Sequence, residues 1–128
     1  MSEGVTQTIL AGTPGRQGNC LQAAVATILG LPLDDVPHFV ELDNWSQALA
    51  DFAHLNGYAT IWTDGDSRLP TLGLAFGPTV RSADITHAIA IVGGQFWDPH
   101  PSRDGLTAVS TYVAWVPLAD LAGVGEQP

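Results

Sequence analysis

The sequence predicts an α+β fold, with helices in the first half of the chain and an antiparallel sheet in the second. Three observations predict it. Apolar residues recur at helical spacing between Asn19 and Asn56. After Gly57 the pattern changes to short runs of β-branched, aromatic and aliphatic residues. Gly93-Gly94 separates two such runs, which marks a tight hairpin. Helices followed by strands is the α+β order.

Asn19 is a favoured helix N-cap, and Leu21, Ala24, Val25 and Ile28 follow at helical spacing until Gly30 and Pro32 end the helix. Cys20 therefore falls in the first turn. Residues 34–39 read as a turn or a short helix broken by Pro37. A second helix is expected over residues 44–56, capped by Asp43 or Asn44 and stopped at Gly57. Trp45, Ala48, Leu49, Phe52 and Ala53 form its apolar stripe. Strands are expected at residues 58–63, 71–77, 87–92, 95–98 and 112–116. Residues 13–18 read as a loop, and residues 1–4 and 123–128 as frayed ends.

A chain of 128 residues is expected to form one domain, 1–128. One cysteine excludes an internal disulfide scaffold. A net charge of −9 argues against nucleic-acid backbones and anionic membrane surfaces, both of which need clustered basic side chains. The amino-terminal stretch has no basic, apolar leader, so the expected location is the cytoplasm of a bacterial or phage-infected cell. The chain has no lysine, which rules out Ser–Lys and Schiff-base mechanisms and leaves Cys20 as the plausible covalent centre.

A helix start favours a thiolate through its free N–H groups and dipole. A bland reading competes, because cysteine often serves as a small buried hydrophobe. The hairpin tips the balance. With Gly93-Gly94 as the turn, facing residues sum to 187, so His87, Ile89, Ile91, Phe96, Asp98 and His100 share one face. His87 and Asp98 become diagonal neighbours. Packing that face against the apolar side of the Cys20 helix would bring thiol, imidazole and carboxylate to one edge of the core. That is a nucleophile, base and orienter set. His100 is a further candidate, as an alternative orienter or a substrate contact. His38 has no obvious partner, and His54 is expected in solvent. Zinc is disfavoured because no CxxC, HxxxH or HExxH spacing occurs, and no cofactor is expected.

The stretch Gly18-Asn19-Cys20-Leu21-Gln22-Ala23-Ala24-Val25-Ala26-Thr27 resembles the nucleophile helix of papain-like cysteine peptidases, in particular the C39-like branch and its small bacterial and phage relatives. The segment from Leu31 to Phe39, the strand His87-Ala88-Ile89-Ala90-Ile91 and the run Trp97-Asp98-Pro99-His100-Pro101 extend the resemblance over residues 17–106. It implies a minimal papain-like fold, with the nucleophile helix packed on an antiparallel sheet. It also implies that Cys20 attacks an acyl carbon, His87 moves the proton and Asp98 orients the imidazole. Gln17 is the candidate amide of the oxyanion hole, although such peptidases place that glutamine further upstream. The expected function is hydrolysis of a peptide or isopeptide bond in a peptide or protein substrate. Transglutaminase- or amidase-type acyl transfer with the same trio, and a catalytically silent binding module, are the alternatives. The acidic surface mildly favours neutral or cationic substrates.

Overall fold

The structure is a computed structural model that describes residues 4–11, 17–81 and 84–125. Helix α1 (Cys20–Leu29) and helix α2 (Trp45–Leu55) precede a sheet of β1 (Tyr58–Asp64), β2 (Leu72–Gly77), β3 (His87–Val92), β4 (Gln95–Trp97) and β5 (Thr111–Pro117). Two short 3₁₀ turns, Leu33–Asp35 and Phe39–Glu41, flank Pro37 between the helices. The architecture is thus α+β, with helices first and strands after. All strand pairings are antiparallel, in the order β1-β5-β2-β3-β4.

One element was not expected. Helix α3 (Leu118–Gly125) follows β5 directly, so residues 123–125 are helical rather than frayed. Its first residue is tied down, because the Leu118 N–H donates to the Gly57 carbonyl at 2.9 Å. Residues 1–3, 13–16 and 126–128, expected as frayed ends or loop, lie outside the described residues.

The β3–β4 hairpin has the expected register, with Val92 opposite Gln95, Ile91 opposite Phe96 and Ala90 opposite Trp97. Gly93 and Gly94 both have positive φ, 59° and 73°, as a type I′ turn requires. A second glycine is set by close approach. A Cβ on Gly73 would lie 2.1 Å from the Val113 carbonyl oxygen, so glycine lets β2 close on β5.

The helix packs on a different face of the sheet from the one the hairpin pattern suggested. Leu21, Ala24, Val25 and Ile28 of α1 share a core with Leu74, Ala88, Ala90, Val113 and Trp115. Ile89 and Ile91 lie on the opposite face, in a smaller cluster with Ala75 and Tyr112, and Phe96 is 53% exposed. Size explains the choice. Ala88 and Ala90 offer a shallow surface on which an alanine-rich helix can sit closely, as dense core packing demands.

Phe39 closes this core from the second 3₁₀ turn. It is fully buried and meets Phe52 edge-on, with ring centroids 5.7 Å apart. Phe39→Ala is expected to lower the unfolding free energy by about 3–5 kcal/mol. Urea unfolding should show a lower midpoint at unchanged slope.

Candidate active site

Cys20 is the first residue of α1, and its Sγ accepts a hydrogen bond from the Ala88 N–H at 3.4 Å. The helix that packs over Ala88 and Ala90 thereby sets the sulfur against the start of β3. His87 opens that strand and is buried. It lies at the strand end, and although its side chain belongs to the opposite face from α1, it lines the same cavity as Cys20. His87 Nε2 pairs with Asp98 Oδ1 at 2.6 Å. Cys20 lines the same cavity as His87 and is one of the groups that raise its pKa.

Asp98 follows β4 and is buried. Its Oδ1 also accepts from the His100 N–H at 2.9 Å, and Oδ2 from the Gly105 N–H at 2.8 Å. Both oxygens are therefore held, and the carboxylate cannot turn away from the imidazole. Arg103 holds the loop around it. Its Nη1 donates to the Asp98 and His100 carbonyls at 3.1 and 2.8 Å, and its guanidinium lies 4.2 Å above the Trp97 ring.

Burial alone would push the His87 pKa down. The hydrogen bond and charge of Asp98, together with the influence of Cys20, outweigh it and raise the value from 6.5 to about 9. Burial likewise opposes ionisation of Asp98, but His87 and the His100 and Gly105 N–H groups lower its pKa from 3.8 to about 2. At neutral pH the site therefore holds an imidazolium paired with a carboxylate.

The remaining sequence candidates fall around this trio. The His100 ring stands edge-on to His87, with centroids 6.2 Å apart, and Asp98 rather than His100 bonds His87 Nε2. The Gln17 side chain is exposed at the rim, and its backbone is bonded on both sides: N–H to Glu41 Oε2 at 3.3 Å and carbonyl to His38 Nε2 at 3.0 Å. His38, for which the sequence offered no partner, thus has one in the Gln17 carbonyl. His54 is exposed, as expected.

Sequence reasoning missed Gln7. It is 6% exposed, its Nε2 donates to the Ile9 carbonyl at 2.8 Å, and its Oε1 has no hydrogen-bond partner. Asn19 brings it there. The Asn19 side chain does not cap α1. Its Oδ1 accepts from the Thr8 and Ile9 N–H groups at 3.0 and 2.7 Å, which docks the amino-terminal segment beside the helix start. The Gln7 N–H then reaches the Pro99 carbonyl at 2.9 Å. A polar residue in an irregular segment has no periodicity to betray it; the one signal was that Gln7 is the only other glutamine upstream of Cys20, in line with the further-upstream glutamine that the resemblance implies.

Cys20, His87, Gln7, Gln17, Arg81 and His100 all line one open cavity of about 510 Å³, with Leu10, Val40 and Ile85 among its apolar walls. That volume suits a small-molecule or short peptide group. Among the described residues no group of three or more His, Cys, Asp or Glu is arranged to hold a metal ion, and no helix is long and apolar enough to cross a membrane. A scan against protein-family models, and searches of curated proteins and of solved structures, found no match to this chain.

The two shifted groups set a pH window for stability. A raised His87 pKa stabilises the fold fully below 6.5, and that contribution is lost as pH rises through about 9. A lowered Asp98 pKa stabilises it above 3.8, and that contribution is lost as pH falls through about 2. The pair therefore contributes most between those two ordinary values. Urea midpoints measured from pH 3 to 10 are expected to decline on both sides of that window, and His87→Gln should flatten the alkaline limb.

Proposed function

We propose that this chain is a papain-like cysteine hydrolase that cleaves a peptide or isopeptide amide bond. One observation carries the reading: buried Asp98 aligns His87 by a 2.6 Å hydrogen bond, and His87 shares the wall of an open cavity with Cys20. A nucleophile, a base and an orienter in series is the arrangement by which thiol enzymes act. An α+β fold with the cysteine at a helix start and the His–Asp pair on the sheet fits the resemblance noted in the sequence.

In the first step the Cys20 sulfur attacks the substrate carbonyl carbon. The tetrahedral oxyanion collapses, the C–N bond breaks, and His87 gives its proton to the departing amine. A thioester remains on Cys20. His87 then takes a proton from water, whose oxygen attacks the thioester, and the acid leaves as the thiol is restored. Asp98 stays ionised throughout and holds the ring.

The oxyanion would be met by the first-turn N–H groups of α1, which have no intrahelical acceptor, and by an amide side chain. Gln7 suits this role better than Gln17. Its amide is buried and anchored, and one of its two N–H bonds is taken by Ile9. Gln17 lies exposed at the rim.

An electrophilic peptide probe panel, read by intact mass, tests the reading. Labelling of Cys20 is expected, with none in Cys20→Ala and about 100-fold or more slowing in His87→Ala. A Cys20 that alkylates at the rate of a free thiol, unmoved by His87→Ala, would refute it. Once a substrate is found, Gln7→Ala is expected to lower kcat by about 100- to 1000-fold, and Gln17→Ala far less. Product masses with and without an added amine separate hydrolysis from acyl transfer.

A further inference from the structure

We infer that Arg81 and His100 form a carboxylate-reading corner of the cavity, so that the preferred acyl substrate carries a carboxylate close to the bond that is cut. The inference deepens the hydrolase reading and rests on it for the word substrate; the anion site itself does not.

Arg81 is, among the described residues, the one arginine in the cavity wall, which it shares with Cys20, His87 and His100. Its Nη1 donates to Ser102 Oγ at 2.9 Å. The same Ser102 fixes His100: the Ser102 N–H donates to His100 Nδ1 at 3.0 Å, and Oγ lies 2.9 Å from that nitrogen. A ring nitrogen that accepts an N–H bond carries no proton. The neutral ring must therefore bear its proton on Nε2. Burial and the Arg81 charge lower the His100 pKa from its ordinary 6.5, which keeps the ring neutral and this tautomer in place. A guanidinium and an imidazole N–H thus stand side by side, joined through one serine.

Asp104 balances Arg81 only in part. Its Oδ2 is 3.6 Å from Nη1, it is largely exposed, and it lies outside the cavity wall. A guanidinium has five N–H bonds, more than Ser102 and Asp104 consume. A substrate carboxylate could take a charge-assisted, two-point hold from Arg81, with Nε2–H of His100 as a third donor. The apolar side chains of Leu10, Val40 and Ile85 line the same cavity and strengthen such contacts by excluding water. This local cation runs against the net charge of −9, whose long-range field disfavours anions. Anion preference would therefore arise inside the cavity by short-range contact, not by steering.

Two alkylating agents of nearly equal size test this without any substrate. Iodoacetate and iodoacetamide both lose iodide as the Cys20 sulfur forms a thioether, but only iodoacetate is anionic. His87 attracts the anion equally in wild type and variants, so the ratio of the two rates isolates Arg81. The iodoacetate-to-iodoacetamide ratio is expected to fall about tenfold in Arg81→Gln, the scale of one charge-assisted hydrogen bond. Arg81→Lys should retain much of it, and His100→Phe should lower it less than Arg81→Gln. An unchanged ratio in folded Arg81→Gln would overturn the inference. A slow absolute rate with both agents would count against the hydrolase reading alone, while the ratio still reports the anion site. Two isomers then name the source of the carboxylate. Protection of Cys20 by N-acetylglutamate α-amide points to an acidic side chain, and by N-acetylglutamine to a free chain end. Protection by neither would also overturn the inference.

Discussion

The close seating of α1 on Ala88 and Ala90 is the constraint on which the site depends. Small residues on both surfaces let the helix axis approach the sheet, and the helix start then lies over the start of β3. The 3.4 Å contact from the Ala88 N–H to Cys20 Sγ is the direct consequence. A larger residue at either alanine would lift the helix and separate sulfur from imidazole, because a packed core transmits displacement rather than absorbing it. Geometry at the site is thus a product of core packing several residues away.

A second layer of the design is polar. The amino-terminal segment is laced to both halves of the site. The Val5 N–H donates to Thr27 Oγ1 at 2.8 Å, Asn19 clasps Thr8 and Ile9, and Trp97 Nε1–H reaches the Val5 carbonyl at 3.0 Å. Arg103 adds a bond to Thr6 Oγ1 while bracing the Asp98 loop. Arg103 adopts positive φ, 56°, which a non-glycine residue accepts only when its surroundings hold it there. The same few bonds that close the fold therefore keep Gln7, Asp98 and His100 in register with Cys20.

The electrostatics of the trio follow from this burial. An imidazolium removed from water is costly unless paired, and here the carboxylate that pairs it is itself fixed by two backbone N–H groups. His87 and Asp98 consequently tie the ionic state of the site to the integrity of the hairpin that carries them.

Much of this was legible in the sequence, for stated reasons. Helical and strand periods placed all five strands and the first two helices, and the glycine pair set the hairpin register that makes His87 and Asp98 neighbours. Cys20 at a helix start could be read from Asn19 and the apolar spacing after it. These are local features, set by backbone preferences and by contacts between residues close along the chain. The strand order, with β5 inserted between β1 and β2, was not legible, because long-range pairing leaves no mark on local period. Nor was the face on which α1 packs, since both faces of β3 are apolar and only side-chain volume distinguishes them. Gln7 lies in an irregular segment, and Arg81 and His100 meet only through Ser102. The sequence by itself determined the elements and named the candidate trio; tertiary structure decided what surrounds that trio, because burial and orientation arise only when distant segments pack.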